Sequence, residues 1–251
     1  MEASSNNELI CMLKEMANNE DFESQKMLAH IYYEGEGVKV DLDLSFYWSK
    51  EAVSHKECNQ EEYIVINRRI AHIYRKQKKY DDALKIYNHL FELPHLDQDK
   101  KDHIHMIIAD INFCLKNYTI GEEIFLYFIN RKLPKVDKNI LEHSYQNLSV
   151  IYLERKDFQN ALDMTNHLSE DDDIFINGKG FIHELMGDYQ QAHRCYLLSA
   201  NKNNKFAQLN LAYLYDNGLG VDKDHEKAFI YYEKAQDAIE EWSISREKHS
   251  K

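Results

Sequence analysis

The sequence predicts an all-α protein built from repeated helix hairpins, and three observations support this fold class. The 251 residues include only 2 prolines and 8 glycines, so long stretches carry no residue that breaks a helix. A glycine-containing motif occurs near both ends of the chain. A shared turn signature occurs four times between these two copies, and repetition of this kind is typical of stacked helix pairs.

The glycine motif reads LAHIYYEGEGV at positions 28–38 and LAYLYDNGLGV at positions 211–221. In both copies a small residue before the turn is followed 16 positions later by another, namely Ala29 and Ser45, and Ala212 and Ala228. Both copies resemble the Sel1-like repeat, a helix pair with a glycine-containing turn. The glycines at positions 35, 37, 218 and 220 are therefore expected in turns rather than in a phosphate-binding loop, which would need a preceding strand and a third glycine.

Each of the four middle segments pairs two small residues 12 positions apart. The pairs are Ala71 and Ala83, Ala109 and Gly121, Ser149 and Ala161, and Gly180 and Ala192. This spacing resembles the tetratricopeptide repeat, in which small residues on both helices let the two backbones approach closely. The residues that match its aromatic positions are Tyr74, Tyr87, Phe125, Tyr152 and Tyr196. The step from Ser149 to Gly180 is 31 residues, shorter than the usual repeat of about 34, so we expect irregular packing there.

These repeats predict a right-handed α-solenoid of about six stacked hairpins over residues 22–240, Sel1-like at both ends and tetratricopeptide-like between. We expect a capping helix within residues 1–21, at Glu8–Ala17, and a polar tail at 241–251. Pro94 and Pro134 fall just beyond second helices, where proline ends a helix. Trp242 is expected to cap the open end of the stack.

Composition and net charge limit the classes of partner that we expect for this protein. The net charge of −12, from 43 acidic and 31 basic residues, repels phosphate backbones and anionic membranes, so we expect neither nucleic acid nor a membrane as partner. A partner that is basic overall would be attracted. The first residues lack an export signal and no 18 apolar residues stand together, which favours a cytoplasmic protein. Cysteines 11, 58, 114 and 195 lack the spacing of a metal or redox motif and are expected to be reduced and buried.

Catalytic and metal-binding patterns were not found in the sequence. No two of the 13 histidines stand three or four positions apart, and no Ser, Cys or Lys lies in a known nucleophile motif. We therefore expect no enzyme activity, metal or cofactor. The acidic run at 170–173 is expected to cap the helix that begins near Ile174.

The resemblance to tetratricopeptide repeats implies a concave groove lined by the first helix of each pair. Its register assigns the groove residues Lys26, His30, Arg68, His72, Arg75, His103, Met106, Asp110, Phe113, Gln146, Val150, Leu153, Asn177, Phe181, Glu184, Leu209, Tyr213 and Asp216. The first third of this set is basic and the later part carries apolar residues suited to anchoring a peptide or helix. A carboxylate clamp of the chaperone-binding type is doubtful, since His72 and Ile107 stand where that clamp has asparagine.

The sequence thus predicts a non-catalytic scaffold whose groove binds a protein or peptide, with an acidic segment favoured by the basic part. An adaptor, a toxin-neutralising immunity protein and a secretion chaperone are biological settings that the resemblance implies. The alternatives are a structural subunit that contacts partners through its flanks and an enzyme with a concealed site. The oligomeric state and the identity of the partner are not predicted.

Overall fold

The structure is a computed structural model, and it describes residues 2–131, 136–239 and 243. Regular structure in these residues is helical throughout, which confirms the predicted all-α class. The helix stop expected at Pro134, the cap expected at Trp242 and most of the tail at 241–251 lie outside the described residues.

Thirteen α-helices occur in the described residues, followed by a short 3-10 helix at Gln236–Ala238. They are α1 Glu2–Asn18, α2 Phe22–Glu34, α3 Leu42–Ser54, α4 Gln60–Lys76, α5 Tyr80–Phe91, α6 Gln98–Cys114, α7 Tyr118–Asn130, α8 Lys138–Glu154, α9 Phe158–Thr165, α10 Asp173–Leu185, α11 Tyr189–Asn201, α12 Lys205–Asn217 and α13 His225–Lys234. After α1, the remaining helices follow the predicted order of six hairpins, each with a first and a second helix. Packing pairs α2 with α3, α4 with α5, α8 with α9, α10 with α11 and α12 with α13.

The chain divides into two compact units, residues 1–121 and 122–251, and each is described by itself. In the first unit α1 lies where the N-terminal helix was expected, begins six residues earlier, and buries Leu13 and Ala17 against Leu28 of α2. The assignment of one repeat domain to 22–240, with a cap at 1–21 and a tail at 241–251, stays a prediction.

Aspartate and asparagine begin most of the helices. Their side-chain oxygens accept a hydrogen bond from a backbone N–H of the first turn, which otherwise has no partner inside the helix. The residues that do this are Asp21, Asp41, Asn59, Asp97, Asp137, Asp157, Asp172, Asp188, Asn204 and Asp224. Asp172 belongs to the acidic run, so the predicted capping role of that run is confirmed, with α10 beginning one residue before Ile174.

The small residues lie where the two helices of a hairpin meet, as predicted. The Ser45 hydroxyl donates to the carbonyl oxygen of Ala29 at 2.7 Å, which joins the two small residues of the first repeat. A Cβ added at Gly180 would lie 2.7 Å from the ring of Tyr196, so α10 and α11 can pack this closely only with glycine there. By contrast, a Cβ at Gly178 would meet nothing within 4 Å, so this position does not require glycine for helix packing.

The turns within hairpins are of two kinds. Gly218 ends α12 with a φ of 67°, and Gly220 lies so close to the backbone of Tyr189 that a Cβ would clash with it. The short turns place a left-handed residue two positions before the second helix: Lys78, Lys116 and Lys156 with φ near 60°, and Gly187 with φ of 80°. Three lysines therefore occupy a position that favours glycine, which the sequence alone did not indicate.

The irregularity expected between Ser149 and Gly180 is present in the second unit. Helix α9 has 8 residues, whereas α11, the next second helix, has 13. Residues 166–172 then connect α9 to α10 without continuing the helix. The fourth hairpin is therefore shorter than its neighbour, and α10 and α11 lack part of the cover that a full-length second helix would give.

The cysteines do not fit the prediction that they are buried. Cys11 and Cys114 are exposed, and Cys58 and Cys195 are half-buried. Cys11 and Cys114 lie on the exposed sides of α1 and α6, whose buried sides carry mainly Leu, Ile and Ala. All four are free thiols.

Candidate functional site

The predicted groove residues of the first unit bring basic and aromatic side chains together on α2, α4 and α6. We call the set Tyr33, Arg68, His72, Arg75 and His103 the basic face. Arg68, His72 and Arg75 are spaced by four and three residues on α4, so they project from one side of that helix. All of these side chains except His103 are half-buried, and His103 is more accessible, although neighbouring groups still remove part of its ring from solvent.

Tyr33 and His72 join α2 to α4. The Tyr33 hydroxyl is hydrogen-bonded to Nδ1 of His72, and the guanidinium of Arg69 lies over the Tyr33 ring, 5.8 Å from its centre. The sequence analysis did not assign Tyr33 to the groove. Its position follows from the register, because Tyr33 lies seven residues after Lys26 just as Arg75 lies seven after Arg68.

Arg75 reaches the hydroxyl of Tyr87, a buried residue of α5. Burial raises the pKa of the Tyr87 hydroxyl, and the charges of Arg75 and Arg68 oppose that rise. Arg75 thus lies next to a buried residue of the second helix. Arg68 has no hydrogen bond or ion pair with a carboxylate within the described part of the chain.

The histidines of the basic face are biased toward the neutral form. Burial lowers the pKa of His103, and the charges of Arg68 and Arg75 lower it further, while Asp110 opposes them. The pKa of His72 is lowered chiefly by burial and then by the charge of Arg75. The positive charge of this face at neutral pH therefore belongs to its arginines.

The structure corrects the basic character predicted for Lys26. Its ammonium is paired with Glu62 of α4 and lies 2.8 Å from the carboxylate of Glu23, so two acidic groups neutralise it. His30 is exposed and lies 3.4 Å from the Glu36 carboxylate. Among the predicted groove residues of the first unit, the cations without a carboxylate partner within the described residues therefore lie on α4 and not on α2.

Two apolar residues predicted on α6 differ in accessibility. Met106 is 8% exposed, so it is a core residue rather than a binding contact, because α6 turns this side chain toward its neighbours. Phe113 is half-buried, with its ring centre 5.7 Å from that of Tyr118. Asp110 lies on the same helix, close enough to His103 to affect its pKa.

In the second unit the predicted residues of α8 and α10 lie on accessible or half-buried surfaces. Gln146 and Val150 of α8 are exposed and Leu153 is half-buried. Asn177 of α10 accepts a hydrogen bond from the Asn210 amide of α12 at 3.1 Å, so this pair links neighbouring first helices. Glu184 accepts a hydrogen bond from the Tyr196 hydroxyl at 2.7 Å.

The predicted residues of α12, together with Phe181 of α10, do not form one surface. Leu209 is fully buried against Ala235 and Ala238, so the structure removes it from the predicted groove. Tyr213 and Phe181 are half-buried and pack against the core formed by α11 and α12. Asp216 lies 2.6 Å from Nδ1 of His225, the first residue of α13.

Neither metal-binding nor membrane-spanning features occur in the residues that the structure describes. No group of three or more His, Cys, Asp or Glu side chains within them is arranged to hold a metal ion. None of the helices formed by these residues is long and apolar enough to cross a membrane.

Comparison with known families decides what the repeats are. The profile of the Sel1 repeat matches residues 22–56, 176–204 and 205–237, and that of a tetratricopeptide repeat matches residues 69–94. The chain therefore contains Sel1 repeats and a tetratricopeptide repeat. The Sel1 match at 176–204 covers α10 and α11, a hairpin that the spacing of 12 had assigned to the tetratricopeptide type, so this assignment is corrected. Repeats of these two types generally mediate protein–protein interaction.

Solved structures of repeat proteins resemble this repeat protein along most of its length. The C-terminal part of a tetratricopeptide protein from Cytophaga hutchinsonii has a TM-score of 0.62 at 15% identity, covering 86% of this chain and 78% of that one. BtubC from P. vanneervenii has a TM-score of 0.57 at 17% identity, covering 80% and 89%. At such identities the likeness shows the fold alone, an all-α repeat solenoid.

A third similar structure is c5321, a protective antigen of uropathogenic Escherichia coli with a Sel1-like repeat fold. Its TM-score is 0.55 at 19% identity, and the match covers 95% of this chain. This repeat protein spans only about half of that antigen, 52% of its length. A search of curated proteins by sequence found no match.

Proposed function

We propose that this repeat protein binds a protein partner through the exposed faces of its first helices, and that the basic face holds an acidic segment of the partner. The observation that carries the proposal is the state of Arg68 and Arg75. Neither has a carboxylate partner within the described residues, although the chain carries a net charge of −12.

Some other cations of this chain do have acidic partners. Lys26 is held by two glutamates, and Arg155 lies 2.6 Å from the Glu122 carboxylate. Two arginines left without a carboxylate on one side of α4 therefore favour an external anion. A planar guanidinium binds a carboxylate through two parallel hydrogen bonds, and the half-buried position of these side chains reduces screening by solvent.

The proposal also includes apolar contacts between the partner and the first helices. Phe113 in the first unit and Val150, Leu153 and Phe181 in the second expose part of their surface at positions of the same register. Partly exposed apolar side chains of this kind anchor a peptide or helix, with specificity supplied by the polar groups around them. The protein would act as a non-catalytic adaptor that recognises one partner.

Affinity capture with the intact chain as bait, followed by mass spectrometry, tests this proposal against its alternatives. We expect one partner in stoichiometric amount, which Arg68→Glu bait recovers poorly and Lys50→Glu bait recovers fully. Lys50 is exposed on a second helix and has no ion pair within the described residues. Lys50→Glu therefore reproduces the change of charge of Arg68→Glu without altering the basic face. Several partners retained by both variants would favour a structural subunit that uses its flanks. Turnover of a substrate without a protein partner would favour an enzyme.

A further inference from the structure

The second unit contains a pocket that the short fourth hairpin leaves open. It has a volume of about 410 Å³ and lies between the end of α9, the connection that follows it, α10 and α11. Because α9 ends at Thr165 after 8 residues, α9 does not extend over this side of α10 and α11. The pocket is thus a consequence of the 31-residue step that the sequence shows between Ser149 and Gly180.

The walls of the pocket are apolar on one side. Phe175 and Ile176 of α10, Leu168 of the connection and Leu198 of α11 line it. Leu198 is 59% exposed, although leucine in the middle of such a hairpin is usually covered by a neighbouring helix. The size lies in the range of sites that hold a small ligand or one or two side chains of a peptide.

Two cations lie at the same pocket. Lys179 of α10 donates a hydrogen bond to Oδ1 of Asn166 at 2.8 Å and pairs with no carboxylate within the described residues. Arg194 of α11 is exposed and makes neither a hydrogen bond nor an ion pair there. Next to the larger effect of burial, the Lys179 charge acts to lower the pKa of His183 and of Cys195, which also line the pocket, while the charge of Asp188 opposes this effect.

The acidic residues near the pocket do not neutralise these cations. Glu170 lines it, but forms no ion pair with either cation. Asp172 is occupied as the N-cap of α10. The Asp173 carboxylate accepts a hydrogen bond from Asn204 at 2.7 Å. An apolar pocket with two cations and one carboxylate is complementary to an apolar group that carries a negative charge.

We propose that this pocket binds a segment of the partner in which a large apolar residue stands next to an aspartate or glutamate. The apolar side chain lies against Phe175, Ile176 and Leu198, and the neighbouring carboxylate accepts hydrogen bonds from Lys179 and Arg194. This rests on the proposed function, binding of a protein partner, but it assigns a second contact, separate from the basic face of the first unit.

Short peptides test the pocket without knowledge of the partner. The probe is N-acetyl-Phe-Asp-amide, titrated into the full chain while backbone amide NMR signals are followed. We expect shifts confined to residues 165–170, 175–183 and 191–198. N-acetyl-Phe-Asn-amide, which has the same shape without the charge, should bind at least about fivefold more weakly, since charge-assisted hydrogen bonds are lost. N-acetyl-Gly-Asp-amide, which lacks the ring, should bind more weakly than N-acetyl-Phe-Asp-amide by a similar factor.

Variants complete the test. Arg194→Gln should reduce the affinity for N-acetyl-Phe-Asp-amide at least about fivefold, whereas Lys202→Gln, an exposed cation at the end of α11 outside the pocket, should leave it unchanged. Equal binding of the charged and neutral peptides, shifts elsewhere on the chain, or no binding at all would overturn the proposal and make the pocket a packing defect. None of these results depends on whether Arg68 variants lose the captured partner, so the two proposals fail separately.

Discussion

The hydroxyl of Ser149 donates a hydrogen bond to the carbonyl oxygen of Ala161, 3.2 Å away and twelve residues later in the chain. Ser45 and Ala29 are joined in the same way in the first hairpin. In both cases a small side chain at a helix crossing lets one backbone approach the next. The stability of the stack should therefore depend on the size of the residues at these crossings.

Enlarging a crossing residue should destabilise the protein. Ala83 and Ala192 are fully buried, so Ala83→Glu or Ala192→Glu forces a charge and a longer side chain between two helices. We expect a loss of several kcal/mol, up to about 4 kcal/mol, in the free energy of unfolding by urea. Asn88→Glu, on the exposed side of α5, is the control and should change it by less than about 0.5 kcal/mol. Unaltered unfolding of both alanine variants would show that the register is wrong.

Replacing a lysine of left-handed backbone conformation by glycine should stabilise the protein. Lys156 has a φ of 59° in the turn between α8 and α9, where Gly187 serves in the next hairpin. A left-handed non-glycine residue costs about 1–2 kcal/mol, and the greater freedom of glycine in the unfolded chain offsets about 0.5–1 kcal/mol of the gain. Lys156→Gly should thus raise the free energy of unfolding by about 0.5–1 kcal/mol, measured by urea denaturation. Gly187→Lys is the reverse change, and a stabilising effect of it would contradict this account.

Stability should decline as the pH falls through the range in which histidine titrates. Burial lowers the pKa of five histidines below the ordinary value of 6.5, namely His72, His103, His105, His183 and His193. The unfolded chain therefore takes up protons at a higher pH than the folded one. The contribution of these groups is fully present above pH 6.5 and is lost as the pH falls through their folded pKa values.

Thermal melting between pH 8 and pH 5 measures this dependence. The melting temperature should fall toward pH 5, and His105→Gln should flatten the decline, because the His105 pKa is lowered mainly by burial. Carboxylates with lowered pKa values, such as Asp21 and Glu62, titrate in a more acidic range and do not interfere. A melting temperature that rises on acidification over this range would show that these histidines gain charge on folding.

The apolar contacts should be distinguishable from the charged ones by salt. Phe113 is half-buried on α6, and Phe113→Ala should weaken partner binding about fivefold through lost contact, by about 1 kcal/mol. Since salt screens charges and not apolar contact, the loss should be the same at 50 and 500 mM salt, to within about twofold. Circular dichroism of the variant checks that the helices are retained. A loss that disappears at high salt would mean that Phe113 acts by positioning charged groups.

The sequence was sufficient for the fold because the repeats are marked by residues whose role is steric. Pairs such as Ser149 and Ala161 recur at fixed spacing, and a glycine motif marks the turns near both ends, so hairpins could be assigned without knowledge of tertiary contacts. The pairing of Lys26 with Glu62 could not be predicted, since it joins residues 36 positions apart on different helices. Leu209 was misassigned because the register placed it on the groove side, whereas in the structure it packs against Ala235 and Ala238 after α13, a contact that repeat spacing does not indicate.

The candidate site was predicted less completely than the fold. The register placed Arg68, His72 and Arg75 on one side of α4, but it gave no sign that Arg75 contacts Tyr87. That contact also changes the design of a test. Substituting Arg75 as well would disturb the surroundings of the buried Tyr87, so Arg68→Glu alone is the cleaner variant.

Titration of the captured partner against the intact chain at 50 and 500 mM salt tests the central claim most directly. We predict that Arg68→Glu weakens binding at least about tenfold at low salt, equivalent to about 1.4 kcal/mol, and that the difference shrinks at high salt. Lys50→Glu carries the same change of charge on a second helix and should bind within about twofold of the parent protein. Equal affinities for the parent protein and Arg68→Glu at both salt concentrations would contradict the claim and move the interface away from the basic face.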